Sequence, residues 1–255
     1  MITVKSAREL DLMARAGRIV GATLALVAER AHPGVSTAEL DAVAEEFIRS
    51  HEGATPSFKG LYGFPATLCT SLNDEVVHGI PSPRRMLADG DIVSVDVGVC
   101  LGGFHADSAV TVPVGGIGAD AEGLLRATQE ALRAGIAAVR VGGHVGDIGH
   151  AVQRVAEAAG YSVVRELVGH GIGSSFHEEP QVPNYGFPRK GPRLVAGMTI
   201  AIEPMINFGR REVRTLADKW TVVTADGSLS AHFEHTVVVT ANGARILTER
   251  PAPKG

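Results

Sequence analysis

Two acidic residues, Asp96 and Asp107, stand in a stretch that otherwise has the composition of a buried β-hairpin. Valine and isoleucine dominate residues 92–99, as is typical of a strand covered on both faces. A two-residue loop that begins at Leu101 places the acids directly opposite each other, whereas a loop that begins at Gly102 places them on a diagonal. In both cases the carboxylates share one face, about 4.5–8 Å apart. Two acids this close must either share a proton or bind a cation.

A second pair of acids, Glu203 and Glu234, occupies equally apolar strands later in the chain. Asp96 and Glu203 are 107 residues apart, and each follows a glycine by six residues. The order helix, glycine turn, helix, glycine, strands also occurs twice. The spacing predicts an internal repeat with halves of about 1–118 and 119–250. A pseudo-two-fold arrangement of these halves would bring all four acids to the centre.

The four strand acids have no arginine or lysine within their own strands to neutralise them. A single buried acid is as often structural as functional, but four at matching positions favour two divalent cations. Oxygen-rich ligation with an imidazole suits Mn, Fe(II), Co or Zn. His170, flanked by glycines in GHGIG, is the candidate nitrogen ligand. His78 and His177 lie at predicted strand ends, close to glycine or proline in HGIP and FHEEP. They are further candidates for the site, although an isolated histidine is more often a core or surface residue.

The remaining pattern predicts one α/β (α+β) catalytic domain over residues 1–250 and a disordered tail at 251–255. Apolar periodicity and glycine stops predict four helices, at 6–31, 38–50, 119–139 and 147–159. Thr37 is the expected N-cap of the second helix. Residues 54–65 are expected to form a loop that leaves four large side chains in the open: Phe58, Leu61, Tyr62 and Phe64.

The composition of the 255 residues is that of an ordinary globular protein, with 45% hydrophobic residues and a net charge of −4. This charge gives no indication of a nucleic-acid partner, and no apolar run is long enough to span a membrane. The charged amphipathic N-terminus is unlike a signal peptide. Two cysteines, Cys69 and Cys100, are too few for a disulfide framework, so we expect a cytoplasmic protein. Motifs of zincins, serine hydrolases, P-loops and dinucleotide sites are absent from the sequence.

Six sequence runs resemble type I methionine aminopeptidases, and the resemblance covers residues 2–250. The runs are NDEVVHGIP (73–81), DIVSVDVG (91–98), FHADSAVT (104–111), GHGIGSSFHEEP (169–180), IEPM (202–205) and FEHTVVVT (233–240). The resemblance implies the pita-bread fold, two helix-helix-strand units around a central antiparallel sheet. It also implies removal of the initiator methionine from nascent proteins with a small second residue. In that reaction a metal-activated hydroxide attacks the first peptide bond.

The resemblance also implies a role for each site residue. Asp96 would chelate one metal ion, Asp107 and Glu234 would bridge the two ions, and His170 and Glu203 would hold the second. Glu203 would also carry the proton, His177 would stabilise the tetrahedral oxyanion, and His78 would engage the amide on the leaving side. The pocket for the methionine side chain would be formed by Phe58, Leu61, Phe64, Cys69, Phe176 and Trp220. Two positions depart from the usual family pattern, Gly98 and Ala106.

The implied partners are nascent polypeptide N-termini, and we expect a monomer. Two basic clusters favour solubility or docking near the ribosomal exit: Arg189, Lys190 and Arg193, and Arg210, Arg211 and Arg214. A proline-directed aminopeptidase or dipeptidase of the same fold is the alternative function. A binding protein without activity would have lost ligands, and none is lost here.

Overall fold

The computed structural model describes residues 2–251, so residues 252–255 of the predicted tail lie outside the described part. The helices are α1 (Ala7–Arg30), α2 (Thr37–Arg49), α3 (Ala119–Ala137) and α4 (Val145–Ala158). No helix within the described residues is long and apolar enough to cross a membrane.

Helix α1 begins one residue later than predicted, after its cap Ser6. Two further helix starts differ from the prediction, and in both cases a side-chain cap explains the difference. The cap of α2 is Ser36 and not Thr37, because the Ser36 hydroxyl accepts the backbone N–H of Glu39 while Glu39 reaches back to the Ser36 N–H. Helix α4 begins two residues before the predicted start. Asp147 accepts the His144 backbone N–H at 2.9 Å and therefore lies inside the first turn.

The strands are short except for one central hairpin. They are β1 (Ala54–Pro56), β2 (Leu68–Leu72), β3 (Glu75–Val77), β4 (Ile92–Leu101), β5 (Phe104–Pro113), β6 (Ser162–Val163), β7 (Gly169–Gly171), β8 (Glu178–Val182), β9 (Thr199–Ile202), β10 (Met205–Asn207), β11 (Val213–Thr215), β12 (Val222–Thr224), β13 (Ser230–His232), β14 (His235–Thr240) and β15 (Gly243–Ile246).

Two sheets carry or adjoin the predicted metal ligands. In the first, β1, β2 and β5 all pair with β4; in the second, the strand order is β15-β14-β9-β7-β8. Two three-stranded sheets, β13-β10-β6 and β11-β12-β3, complete the fold, and every pairing within the described chain is antiparallel. Helix α1 packs on β4, β5 and α2, and α3 packs on α4. The core between these layers is mostly aliphatic and includes the buried ring of Phe233.

Backbone and side-chain hydrogen bonds join the two sheets where β5 meets β14. The Asp107 N–H donates to Thr236 Oγ1 at 3.0 Å, and the Thr236 hydroxyl donates to the Asp107 carbonyl at 2.8 Å. The Glu234 N–H donates to the Ala109 carbonyl at 3.0 Å, and the Ser108 hydroxyl donates to the Glu234 carbonyl. These bonds set two of the acids, one from each half of the chain, side by side.

The register of the β4-β5 hairpin decides between the two loop alternatives. Asp107 pairs with Gly98, and Asp96 pairs with Ala109. The loop is therefore Gly102-Gly103, both with positive φ, at 59° and 82°. Asp96 and Asp107 consequently lie on a diagonal of one sheet face, as the second alternative predicts.

Candidate active site

The predicted site residues all line a single cavity with a volume of about 210 Å³. Strands β4 and β5, the ends of β7, β9 and β14, and the loop between β1 and β2 contribute to its wall. The lining residues are Phe58, Leu61, Tyr62, Phe64, Cys69, His78, Asp96, Asp107, Leu167, Val168, His170, Phe176, His177, Glu203, Trp220 and Glu234. Tyr62, Leu167 and Val168 are the lining residues that the sequence analysis did not assign to the site.

The four acids form the polar end of the cavity. Asp96 and Asp107 project from β4 and β5, Glu203 follows β9, and Glu234 precedes β14. Three of these residues are at least nine-tenths buried: Asp96, Asp107 and Glu234. Each of those three has one carboxylate oxygen without a hydrogen-bond partner among residues 2–251. A buried, unpaired carboxylate oxygen is costly unless a cation or a proton neutralises it.

The pKa values of these acids show the same electrostatic conflict. Burial raises the pKa of Asp96 to about 7. The pKa values of Asp107 and Glu203 are raised well above their usual range, mainly by burial and to a smaller extent by the negative charge of Asp96. The pKa of Glu234 is also raised well above its usual range, mainly by burial and to a smaller extent by the negative charge of Asp107. The acids therefore repel one another as anions and would ionise together only beside positive charge.

His170 completes a donor set that fits a divalent metal ion. One ligand atom each from Asp107, His170 and Glu234 lies within 4.8 Å of the others. The His170 Nδ1–H donates to the Gly171 carbonyl at 2.8 Å, which leaves Nε2 free, and that atom lies 3.6 Å from Glu203 Oε1. Burial, with His177 nearby, lowers the pKa of His170 to about 4, so the imidazole is the neutral form that binds metals.

Two further histidines face the cavity beside the acids. The ring of His177 stands edge-on to that of His170 with centroids 4.4 Å apart. The Tyr62 ring stacks on that of His177, and its hydroxyl lies 3.3 Å from His177 Nδ1. Burial and then the nearby His177 lower the pKa of His78 to about 4, and the His78 backbone has a φ of 60°, which is rare outside glycine.

His232 is a buried neighbour of the acids that the sequence analysis missed. Its Nε2 lies 3.9 Å from Glu203 Oε2, and neither ring nitrogen has a hydrogen-bond partner within the described chain. The signal was available, because His232 is two residues before Glu234 and a strand places such residues on one face. His235, adjacent to Glu234, instead bonds to the Thr248 hydroxyl at 2.9 Å.

The other end of the cavity is apolar and aromatic. The expectation that loop 54–65 leaves its large side chains in the open is wrong for Phe58 and Phe64, which are 7% and 4% exposed. Phe58 packs edge-to-face on Phe176 at 5.3 Å, and Phe64 packs edge-to-face on Trp220 at 5.1 Å. Leu61 packs against the same cluster, together with buried Cys69, whereas Tyr62 is 73% exposed.

The raised pKa values of the four buried acids predict that the stability of the folded protein depends on pH. Above pH 6.5 the unfolded chain has released its carboxyl protons, but the folded, metal-free chain retains some of them. The free energy of unfolding therefore falls by about 1.4 kcal/mol per pH unit for each retained proton. The lowered histidine pKa values oppose this trend only below about pH 6.5. We expect the Tm of chelator-treated protein to drop by about 5 °C or more between pH 6.5 and 8.5.

Calorimetry in matched buffers measures this drop, and added Mn(II) should abolish it because bound cations keep the acids ionised. Asp107→Asn removes one of the titrating acids and should make the metal-free slope shallower. A Tm that is constant or rises over this range in the metal-free protein would contradict the assignment.

The buried acids and His170 define a candidate metal centre, which shares one cavity with an apolar, aromatic wall. The chain matches the Metallopeptidase family M24 over residues 11–241 and belongs to that family. It is 56% identical to the methionine aminopeptidase of Clostridium perfringens over 248 residues, covering 97% of this chain and 99% of that protein. It is also 53% identical to methionine aminopeptidase 1 of Bacillus subtilis over the same coverage.

The crystal structure of the Thermotoga maritima methionine aminopeptidase superposes with a TM-score of 0.96 at 42% identity, covering 98% of this chain and all of that one. The similarity confirms the expected α/β fold and the resemblance to type I methionine aminopeptidases. The acid cluster and the family assignment together make this chain a metal-dependent enzyme.

Proposed function

We propose that this chain removes the N-terminal methionine from peptides and nascent proteins with a small second residue. The observation that carries the proposal is that one cavity contains both a set of metal-type donors and an apolar pocket. Four acids and His170 form one end, and a buried aromatic cluster with a cysteine forms the other. Aromatic rings and sulfur suit the unbranched thioether of methionine. The apolar end is where we place the side chain of the first residue of the substrate.

Five residues would hold two divalent ions: Asp96, Asp107, His170, Glu203 and Glu234. Their unpaired oxygens and neutral imidazole supply suitable donors. When bound, the ions supply a water that loses its proton near neutral pH and a positive charge that polarises the peptide carbonyl. Candidate metals are Mn, Fe(II), Co and Zn, and anaerobic refilling of the apo-protein with each in turn would identify the one that supports activity.

The remaining site residues bind the substrate and move the proton. Glu203 takes up the proton from the attacking water on a carboxylate oxygen and passes it to the departing amine. His177 donates from Nε2 to the carbonyl oxygen as negative charge develops. The Tyr62 hydroxyl lies 3.3 Å from His177 Nδ1, and a hydrogen bond donated by this hydroxyl would leave the ring proton on Nε2. His78 engages the peptide amide on the leaving side. The aromatic cluster excludes water from the methionine side chain.

A small peptide panel tests this function. Met-Ala-Ser should be hydrolysed, whereas Met-Lys, with a bulky second residue, and Leu-Ala-Ser, with a branched first residue, should be cleaved at least about tenfold more slowly, the discrimination expected of shape in an apolar pocket. Release of free amino acid measures the rates, with Glu157→Gln on the exposed face of α4 as a fold control. Equal cleavage of the leucine peptide would contradict the pocket assignment.

A proline-directed peptidase, the alternative function, has less support, because the proline-directed relatives share only the fold. The Pyrococcus furiosus prolidase superposes with a TM-score of 0.76 at 21% identity, and this chain covers 66% of it. This likeness extends to the fold alone. Adding Met-Pro and Ala-Pro to the panel separates the two functions, and preferential cleavage of Ala-Pro would favour the second.

We propose that the protein docks near the ribosomal exit, in the cytoplasm, through a basic loop cluster. The cluster consists of Arg189, Lys190 and Arg193. All three side chains are exposed, and none forms an ion pair within the described residues, whereas Arg210 and Arg211 face Asp226 and Glu212. Phosphate-rich RNA attracts such a cluster in a salt-dependent way. We expect the protein to act as a monomer there.

Co-sedimentation with ribosomes at two salt concentrations measures this docking. Changing the three cations to glutamate should reduce the low-salt bound fraction about tenfold or more, while Arg210→Glu and Arg211→Glu together should have less effect. Equal binding by both variants would exclude the first cluster as the docking surface.

A further inference from the structure

Gly98 lies on β4 behind the aromatic end of the cavity and does not line it. A Cβ at this position would lie 2.8 Å from Phe176 Cε2, 2.9 Å from Ser57 Cβ and 3.1 Å from Phe58 Cε1. These separations are well below the 3.5–4.0 Å of ordinary carbon contacts. The Gly98 backbone does not have a positive φ. Its conformation is therefore open to other residues, and only the missing side chain distinguishes this position.

The residues that would meet such a Cβ cannot all retreat from it. The Ser57 N–H donates to the Gly98 carbonyl at 2.8 Å, and the Ser57 hydroxyl bonds to His105 Nδ1 at 2.9 Å. Ser57 is therefore tied to the strand. Phe58 and Phe176, by contrast, line the cavity, so their free direction of movement is into the space beyond them.

Phe176 also lies against the histidines of the site. Its ring centroid is 5.5 Å from that of His170, 4.8 Å from that of His177 and 5.7 Å from that of His105. Together with Phe58, the Phe176 ring therefore has four neighbouring rings with centroids within 5.7 Å. A shift of this ring would therefore narrow the pocket.

We propose that Gly98 and Phe58 form a complementary pair that determines the specificity of the methionine pocket. The missing side chain at position 98 makes room for the ring at position 58 and for its packing on Phe176. A larger residue at 98 is tolerated only when the residue at 58 is smaller. This inference rests on the proposed function, because it names the determinant of the same pocket.

A double-mutant cycle with Gly98→Ala and Phe58→Leu tests the pair in the metal-loaded protein. Two readouts are used: kcat and KM for Met-Ala-Ser, and the affinity for free L-methionine from the fluorescence of Trp220, the only tryptophan and a cavity residue. Gly98→Ala should raise KM and weaken methionine binding about tenfold, as expected for an overpacked site. The kcat value should change about threefold or less, because neither the four acids nor His177 are among the nearest neighbours of the added methyl group. Adding Phe58→Leu should bring the KM and the affinity for methionine back to within about threefold of wild type.

The matched control is Gly116→Ala, since this glycine also lacks a positive φ and a methyl group added there would have no atom within 4 Å. It should leave both readouts and the bound metal content unchanged. Additive effects of the two substitutions, or full methionine affinity in Gly98→Ala, would overturn the inference. If the wild type binds methionine with this pattern yet cleaves no methionyl peptide, the proposed function fails and the pocket pair stands.

Discussion

Glu203→Gln is expected to lower kcat for Met-Ala-Ser by about a hundredfold or more, the loss typical of one acid–base group. The substitution preserves the shape of the side chain but removes its charge and its capacity to carry a proton. Glu203 follows β9 at the buried end of the cavity, with Oε1 3.6 Å from His170 and Oε2 3.9 Å from His232. No other acid of the cluster contacts two histidines in this way within residues 2–251.

Steady-state kinetics and metal analysis of the same samples check this prediction. The metal content separates a lost proton carrier from a lost ligand, because only the latter lowers it. Glu157→Gln, a neutralised glutamate on the exposed face of α4, serves as the matched control. Turnover within about threefold of wild type, with full metal content, would remove Glu203 from the proposed mechanism.

His177→Ala is the second change for which we expect a loss in kcat of about a hundredfold, as for one missing oxyanion donor. The side chain lines the cavity between Tyr62 and His170 and makes no hydrogen bond to the backbone within the described chain. The loss should therefore fall on kcat, with little change in Tm or metal content.

Tyr62→Phe is the companion variant for His177. It keeps the stacked ring and removes only the hydroxyl that lies near Nδ1. We expect a decrease in kcat of less than about tenfold, since a single neutral hydrogen bond contributes about 1 kcal/mol. A variant of His177 that hydrolyses Met-Ala-Ser at the wild-type rate would show that the oxyanion is stabilised elsewhere.

The carboxylate hairpin was largely predictable from the sequence because its constraints are local. A strand alternates its faces, so the spacing of Asp96 and Asp107 allowed only an opposite or a diagonal arrangement. The choice between them depended on which two residues form the turn. Gly102 and Gly103 both adopt positive φ, a conformation that Leu101 would have adopted only at a cost.

The aromatic pocket was less predictable because its partners are far apart in the sequence. Phe58 and Phe64 are covered by Phe176 and Trp220, more than a hundred residues away. The glycine- and proline-rich composition of the loop predicts that these side chains are exposed. They are buried because residues distant in the sequence cover them. His232 illustrates a different failure. Its strand face could be predicted from its spacing to Glu234, but its neighbour Glu203 follows a strand that is distant in the sequence.

The hydrogen bonds between β5 and β14 have a consequence for any attempt to divide this protein. Asp96 and Asp107 precede the glycine-rich connection at residues 115–118, whereas His170, Glu203 and Glu234 follow it. A chain cut there would yield two pieces, neither of which holds enough donors to capture an ion by itself. Reassociation of such fragments should therefore be driven by added metal, which would link one piece to the other.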